Sequence, residues 1–219
     1  MENPKALEEL RRDESSRGAF LKMVGGAGAA GALGIFLAAC GDDDEDKAAE
    51  TSEKPATTGM SDAKIVNYAL TLEYLEADFY QQVIDSGEIT DKKIVETAKL
   101  IGESEQAHVD ALRATAKTLG GKVAAKPKTK FEDVLAGGPD KILETAAVVE
   151  NLGAAAYLGQ AGNITDKEIL AAALSIHTVE GRHAAALNML VGKSIVPDGA
   201  FAKPATEDEV LAAVKPFLA

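Results

Sequence analysis

The chain has 219 residues, a net charge of −12, only 5 % aromatic residues and no Trp. This length suits one domain of ordinary size with appended segments, and the scarcity of aromatic residues beside plentiful Ala and Gly favours packed helices over sheets. The acidic balance and the lack of a basic face argue against a nucleic-acid partner, and we expect none.

The first 39 residues have the features of an export signal. Basic residues precede an uncharged stretch, Met23 to Ala39, that ends in small residues. Leu37-Ala38-Ala39-Cys40 resembles the bacterial lipobox, whose cysteine is lipidated and becomes the mature N-terminus. This resemblance predicts a signal peptide over residues 1–39, a lipid on Cys40, and a place on the outer face of the cytoplasmic membrane in a bacterial envelope. The alternative is a plain transmembrane anchor, although the stretch is shorter than the roughly 20 residues that span a bilayer.

Residues 40–60 predict a disordered tether that starts at the lipidated cysteine. An unbroken acidic run, Asp42 to Asp46, is followed by Ala, Thr, Ser, Lys and Pro without an aromatic residue. Such a segment repels itself and has too little apolar surface to fold.

Four helical patterns occupy residues 61–192. They run from about Ser61 to Asp85, from Thr90 to Gly120, from Pro139 to about Ala161, and from Thr165 to about Val191. In the last pattern Thr165 and Glu168 have the spacing of a capping box. Short turns join the helices within each pair, and a long link joins the two pairs. This order predicts an all-α, antiparallel four-helix bundle with one long crossover.

The tail, residues 193–219, predicts one further short helix. Thr206 and Glu209 have a second capping-box spacing at its start. We expect this tail to pack across one end of the bundle.

The two helical hairpins repeat each other in sequence. Residues 89–94 recur as residues 164–169 at an offset of 75, whereas the first helices align at an offset of 77. The polar residues related by the repeat are Glu73 and Glu150, Tyr80 and Tyr157, Glu105 and Glu180, His108 and His183. The bundle is therefore predicted to be a duplicated hairpin with two-fold pseudosymmetry.

The second helix of each hairpin carries the pattern E-x-x-H, first as Glu105-x-x-His108 and then as Glu180-x-x-His183. Residues three apart on a helix have Cβ atoms about 5–6 Å apart, so a carboxylate and an imidazole can reach one cation. Neighbouring positions are Ile, Leu, Ala and Val, so these groups, with Glu73 and Glu150, should face the interior. Unpaired carboxylates there would be very costly, and two divalent cations would neutralise all four.

Over residues 61–192 the sequence resembles the ferritin-like superfamily, and residues 67–76 and 179–185 are similar to its exported, desiccation-related branch. The superfamily motif is one Glu, E-x-x-H, one Glu and E-x-x-H. The resemblance implies terminal metal ligands, bridging ligands and one imidazole on each of two metal ions. In that order they are Glu73 and Glu150, Glu105 and Glu180, His108 and His183.

Four further residues are candidates for supporting roles. Tyr80 and its repeat partner Tyr157, which would stand beside Glu150, can donate hydrogen bonds to ligand carboxylates. Glu76 shares a helix face with Glu73 and is either an alternative ligand or a neighbour of the ligands. His177 lies one turn before Glu180, and we interpret it as a supporting or structural histidine rather than a ligand.

Carboxylate-rich ligation with two imidazoles suits two iron or two manganese ions. The resemblance implies oxygen or peroxide chemistry, so we expect a di-metal oxidoreductase that oxidises Fe(II) or dismutes hydrogen peroxide. The alternative is a non-enzymatic protein of the same fold that binds metal structurally or acts in envelope stress. The predicted partners are thus metal ions, a small oxidant and a membrane.

Overall fold

The computed structural model describes residues 61–120 and 122–219. The predicted signal peptide, Cys40 and the acidic tether lie outside these residues. Within the described part the chain forms six α-helices and a final 3-10 helix. They are α1 (Asp62–Ser86), α2 (Lys92–Thr118), α3 (Glu132–Ala136), α4 (Gly138–Ala161), α5 (Lys167–Leu190), α6 (Glu207–Val214) and the 3-10 helix Lys215–Phe217.

The four long helices form the predicted all-α bundle. α1 packs along α2 and α4 along α5, and the short turns that join them make each pair an antiparallel hairpin. Apolar side chains from these helices and from the tail fill the interior, among them Leu70, Leu75, Val109, Ile142 and Val210. No helix in the described part is both long and apolar enough to cross a membrane.

Two aspartates start the second helices of the hairpins. The side chain of Asp91 accepts hydrogen bonds from the backbone of α2, and Asp166 does the same for α5. The predicted capping box at Thr165 is therefore wrong, because its hydroxyl donates to Asp62 instead. An aspartate is favoured over Thr at this position because its charge also complements the helix dipole.

The long crossover is fixed along α1. The backbone N–H of Ala124 donates to the side-chain oxygen of Asn67 at 2.6 Å, and Lys126 pairs with Asp78 further along the same helix. Phe131 is fully buried, with its ring centroid 4.9 Å from that of Phe79. The crossover therefore contributes to the core and contains the short helix α3.

The tail lies along the bundle's flank and not across its end, which corrects the expectation from sequence. The N–H of Ala205 donates to the Ala155 carbonyl of α4 at 3.0 Å, and the capping box of Thr206 and Glu209 is confirmed. Val210 and Val214, one turn apart on α6, are buried in the core cluster beside α1 and α4. Burying these two side chains explains the placement, because an end-on position would leave them in water.

Gly159 on α4 allows the tail to come this close. A Cβ atom there would lie 2.0 Å from the carbonyl oxygen of Ala205. We expect Gly159→Ala to displace the tail and to lower the free energy of unfolding by about 1–3 kcal/mol, as overpacking does elsewhere. Thermal denaturation of the full chain measures this loss.

The matched control is Gly181→Ala on α5, where an added Cβ meets nothing within 4 Å. Because alanine is the better helix former, this control should keep or raise the melting temperature. Equal melting temperatures for the two variants would show that the tail does not depend on Gly159.

Candidate metal centre

The structure brings the six predicted ligand residues together in the middle of the bundle. Each of the four long helices contributes to the cluster. Its members are Glu73 on α1, Glu105 and His108 on α2, Glu150 on α4, Glu180 and His183 on α5. All four glutamates are 0 % exposed, whereas the side chains of the two histidines are 11 % exposed.

The cluster divides into two overlapping groups that could each hold a metal ion. One group contains Glu73 and His108, the other Glu150 and His183, and both contain Glu105 and Glu180. Within each group the candidate ligand atoms lie within 4.8 Å of one another. The two shared glutamates thus join the two candidate groups into one cluster.

The imidazole of His108 faces three carboxylates at once. Its Nδ1 lies 2.9 Å from Glu105 Oε2, 3.2 Å from Glu73 Oε2 and 3.2 Å from Glu180 Oε1. A single N–H cannot be well aligned with three oxygens. One nitrogen and three oxygens, all possible metal ligands, therefore converge on one point, as a cation site requires.

His183 has the corresponding place in the second group. Its Nδ1 lies 2.9 Å from Glu105 Oε1 and 3.2 Å from Glu150 Oε2. Glu105 therefore turns one oxygen to each imidazole, and the two rings are 6.5 Å apart between centroids. Glu105 is thus common to both candidate groups.

Three buried oxygens of the cluster accept no well-aligned hydrogen bond: Glu105 Oε1 and both oxygens of Glu180. Glu105 Oε1 and Glu180 Oε1 do lie close to an imidazole nitrogen. Buried acceptors are normally paired, and an unpaired charged acceptor is especially costly. Oxygen-rich groups with one imidazole each match the ligand preferences of divalent transition metals. The residues present therefore fit metal ions.

Mutual electrostatics shift the cluster's protonation strongly. Burial raises the pKa of Glu180 well above its ordinary value, and the neighbouring Glu105 and Glu73 add to this. Burial alone would lower the pKa of His183, but its carboxylate partners outweigh it and raise that pKa to about 10. Burial likewise raises the pKa of Glu73 to about 7. The cluster thus has an excess of negative charge, for which protons and metal ions compete.

Two tyrosines bind the outer glutamates, each from the opposite hairpin. The Tyr80 hydroxyl donates to Glu150 Oε1 at 2.6 Å, and the Tyr157 hydroxyl donates to Glu73 Oε1 at 2.5 Å. Both tyrosines thus bind candidate ligand carboxylates, as the sequence suggested, but Tyr157, which was expected beside Glu150, binds Glu73 instead. Within one helix the tyrosine follows the glutamate by seven residues and therefore lies about 10.5 Å further along the axis. In the antiparallel pair α1 and α4, the tyrosine of one helix lies at the same height as the glutamate of the other.

Glu76 forms a fifth buried carboxyl group in the cluster. It is 3 % exposed, and burial together with Glu180 raises its pKa well above the ordinary value. A Cβ at Gly153 would lie 2.8 Å from Glu76 Oε1 and 2.9 Å from Glu180 Oε2. Gly153 therefore provides the space that both carboxyl groups occupy. Gly153 belongs to no metal-binding motif, and its only sequence signal is that the repeat aligns it with Glu76.

His177 lies apart from the two candidate metal groups. Its Nδ1 is 3.0 Å from the carbonyl oxygen of Ala154. Since a carbonyl oxygen only accepts, Nδ1 carries the proton in this contact. The side chain thus links α5 to α4.

The sequence model of the ferritin-like domain matches residues 61–193. The chain belongs to the ferritin-like domain family. The matched region contains all four long helices and every residue of the ferritin-like cluster described above. No curated protein matches the chain.

Metal binding to this ferritin-like cluster should stabilise the fold, because the ligands are assembled only in the folded state. We expect Mn(II) at about 100 times its Kd to raise the melting temperature of the chelator-treated full chain by about 5–10 °C. Differential scanning calorimetry with and without Mn(II) measures the shift.

The variant that tests the cluster is Glu105→Gln/Glu180→Gln, which keeps side-chain size and removes the shared charges. Glu103→Gln/Glu168→Gln alters two exposed glutamates on the same two helices and is the matched control. The stabilisation should vanish in the first variant and persist in the second. An equal shift in both would place the ions elsewhere.

Proposed function

We propose that the protein is a di-metal oxidoreductase whose ferritin-like bundle holds two iron or two manganese ions. The observation that carries the proposal is the pair of overlapping ligand groups that share Glu105 and Glu180. In this assignment Glu105 and Glu180 would each be shared by the two ions. Each group adds one terminal glutamate and one histidine.

The charge of the cluster supports two ions rather than one. Glu73, Glu105, Glu150 and Glu180 supply four carboxylates, and two divalent cations would leave the ligand set near neutral. A single cation would leave carboxylates of the other group buried and uncompensated. The same oxygen-rich set favours iron or manganese over softer metals.

The side chains around the ligands hold the centre in place. Tyr80 and Tyr157 each fix one oxygen of a terminal glutamate, which leaves its other oxygen facing the ion position. This orients the carboxylates before any ion binds, in the way that outer hydrogen bonds support metal ligands. The buried apolar layers on both sides exclude bulk water from the centre.

Redox-active ions bound in this centre supply the electron transfer to oxygen or peroxide that carboxylates, imidazoles and phenols do not supply here. When Fe(II) is the substrate, two Fe(II) ions would give up two electrons in all. With two protons, these electrons would reduce dioxygen to hydrogen peroxide, or hydrogen peroxide to two molecules of water. The protein's own part is to hold two ions close together and to keep the site dry.

The test is elemental analysis followed by activity assays on the full chain. We expect about two ions per chain after loading with Fe(II) or Mn(II), as in other paired-metal sites, and far less than one in Glu105→Gln/Glu180→Gln. The loaded parent should oxidise Fe(II) or consume hydrogen peroxide, and the Gln variant should not. The exposed variant Glu103→Gln/Glu168→Gln should behave as the parent.

The outcomes separate catalysis from structural binding. Two ions per chain without Fe(II) oxidation or peroxide consumption would overturn the oxidoreductase assignment and leave a structural metal protein. No bound ion in a chain with a normal helical spectrum would overturn the metal centre itself.

We also propose that the chain is anchored to the outer face of the bacterial cytoplasmic membrane by a lipid on Cys40. The support is the sequence Leu37-Ala38-Ala39-Cys40 after an uncharged stretch. In a bacterial expression host, Cys40→Ala should move the protein out of the detergent-extracted membrane fraction, whereas Ser52→Ala in the tether should not. Retention of the Cys40→Ala protein in the membrane would favour a transmembrane anchor instead.

A further inference from the structure

Two apolar cavities flank the candidate metal centre, one toward each end of the bundle. The larger has a volume of about 30 Å³ and is named here the Ala156 cavity. Its walls include Leu72, Leu112, Ala156, Tyr157, Ala173 and Ile176. The smaller, of about 10 Å³, is named the Phe79 cavity, and its walls include Phe79, Tyr80, Ala98, Ala146 and Leu187.

The sequence repeat makes these two cavities equivalent places in the two halves of the molecule. The offset of 77 relates Tyr157 to Tyr80, and the offset of 75 relates Ala173 to Ala98. The same repeat relates Ala156 to Phe79. One end therefore has a methyl group where the other has a phenyl ring, which accounts for the difference in volume.

The Ala156 cavity lies in the layer next to the ligands. The ring of Tyr157 forms part of its wall while the hydroxyl of the same residue binds Glu73. Leu112 is one helical turn beyond His108 and Ile176 is one turn before Glu180, both on the cavity side. The cavity thus adjoins the metal group that contains His108.

The burial of the lining decreases toward one end of the cavity. Leu72 and Ile176 at its inner end are buried, whereas Ile164 and Ile169 near the α4–α5 turn are only half-buried. A small molecule could pass between these isoleucines without meeting a charged group in the lining.

The cavity lining has few polar side chains, and two of them already have hydrogen-bond partners. The Thr115 hydroxyl donates to the carbonyl of Ala111, and Gln160 Oε1 accepts from Asn163. Among the fully buried polar side-chain atoms of the described lining, the hydroxyl of Tyr68 is the one without a partner. A confined water needs two to four polar partners, and hydrogen peroxide, with two hydroxyl groups, has similar needs.

The volume indicates the size of the occupant. About 10–15 Å³ of such space accommodates one water-sized sphere, so the Ala156 cavity has room for about two. An apolar diatomic molecule fits a space of this size and needs no polar partners.

We propose that the Ala156 cavity is a binding site for dioxygen, which reaches the His108 metal group from there. This inference rests on the proposed function, and it selects dioxygen over peroxide as the oxidant of that centre.

Xenon is the probe for the cavity, because it is apolar, of similar size and visible by its electron density. Crystals of the full chain under xenon pressure should show one xenon atom in the Ala156 cavity and none in the Phe79 cavity. Ala156→Val narrows the site and should abolish the xenon peak. Ala98→Val adds the same volume to the Phe79 cavity and should leave the peak unchanged.

The second readout separates the two oxidants in the Fe(II)-loaded protein. Stopped-flow oxidation by dioxygen should slow several-fold in Ala156→Val and remain at the parent rate in Ala98→Val. Oxidation by hydrogen peroxide should be equal in all three proteins. Metal content, measured in parallel, should be the same in all three.

Several results would overturn the proposal. They are an ordered water on the Tyr68 hydroxyl in place of xenon, xenon in the Phe79 cavity instead, or equal slowing with both oxidants. If Ala156→Val fails to fold, Ala173→Val takes its place, with Ala98→Val as its repeat-related control. If xenon binds in the Ala156 cavity but the chain takes up no metal, the cavity is a site for small apolar molecules and the proposed di-metal function is wrong. If the chain binds two ions but no xenon, the metal centre is supported and the dioxygen cavity is wrong.

Discussion

The burial of five carboxyl groups around two imidazoles is the constraint on which the rest of the structure depends. Glu73, Glu76, Glu105, Glu150 and Glu180 are all removed from solvent, and even two protonated histidines balance only two charges. The remainder must be neutralised by protons or by cations. Apolar side chains of similar volume would give a more stable core. The cluster is therefore present at the expense of stability, which is typical of a functional site.

The cluster also couples the two hairpins. His108 of the first hairpin faces Glu180 of the second, and His183 faces Glu105 in return. The tyrosine bonds cross the same boundary. Neither hairpin alone holds a complete set of ligands, so the centre forms only when the hairpins dock. Any ion bound there stabilises that docking specifically, because its ligands come from both sides.

Much of this arrangement could be predicted from the sequence because helical spacing is rigid. Two E-x-x-H patterns in register with Glu73 and Glu150 left few other ways to place the ligands. The tyrosine partners could not be predicted, because their choice depends on how far α1 and α4 slide past each other. The N-cap of α5 could not be predicted either, because Thr165 and Asp166 are neighbours that can both cap a helix, and Asp166 is the one that does. The tail's position depends on close contact between Gly159 and Ala205, which has no periodic signature.

The departures from the repeat have two different physical origins. Glu76 and Gly153 are equivalent positions, and a Cβ at Gly153 would already approach Glu76 Oε1 to 2.8 Å. Two glutamates could not share that space, so a fifth carboxyl group can be accommodated only by breaking the symmetry there. No such conflict applies to Phe79 and Ala156, whose cavities lie toward opposite ends of the bundle.

A phenylalanine at one end therefore does not require an alanine at the other. Packing alone favours filling both cavities, since each void forfeits contacts. The larger cavity on the His108 side thus gives the two candidate ligand groups unequal surroundings. The asymmetry of the repeat thus distinguishes the two groups: one adjoins the smaller cavity beside Phe79, and the other adjoins the larger, apolar Ala156 cavity.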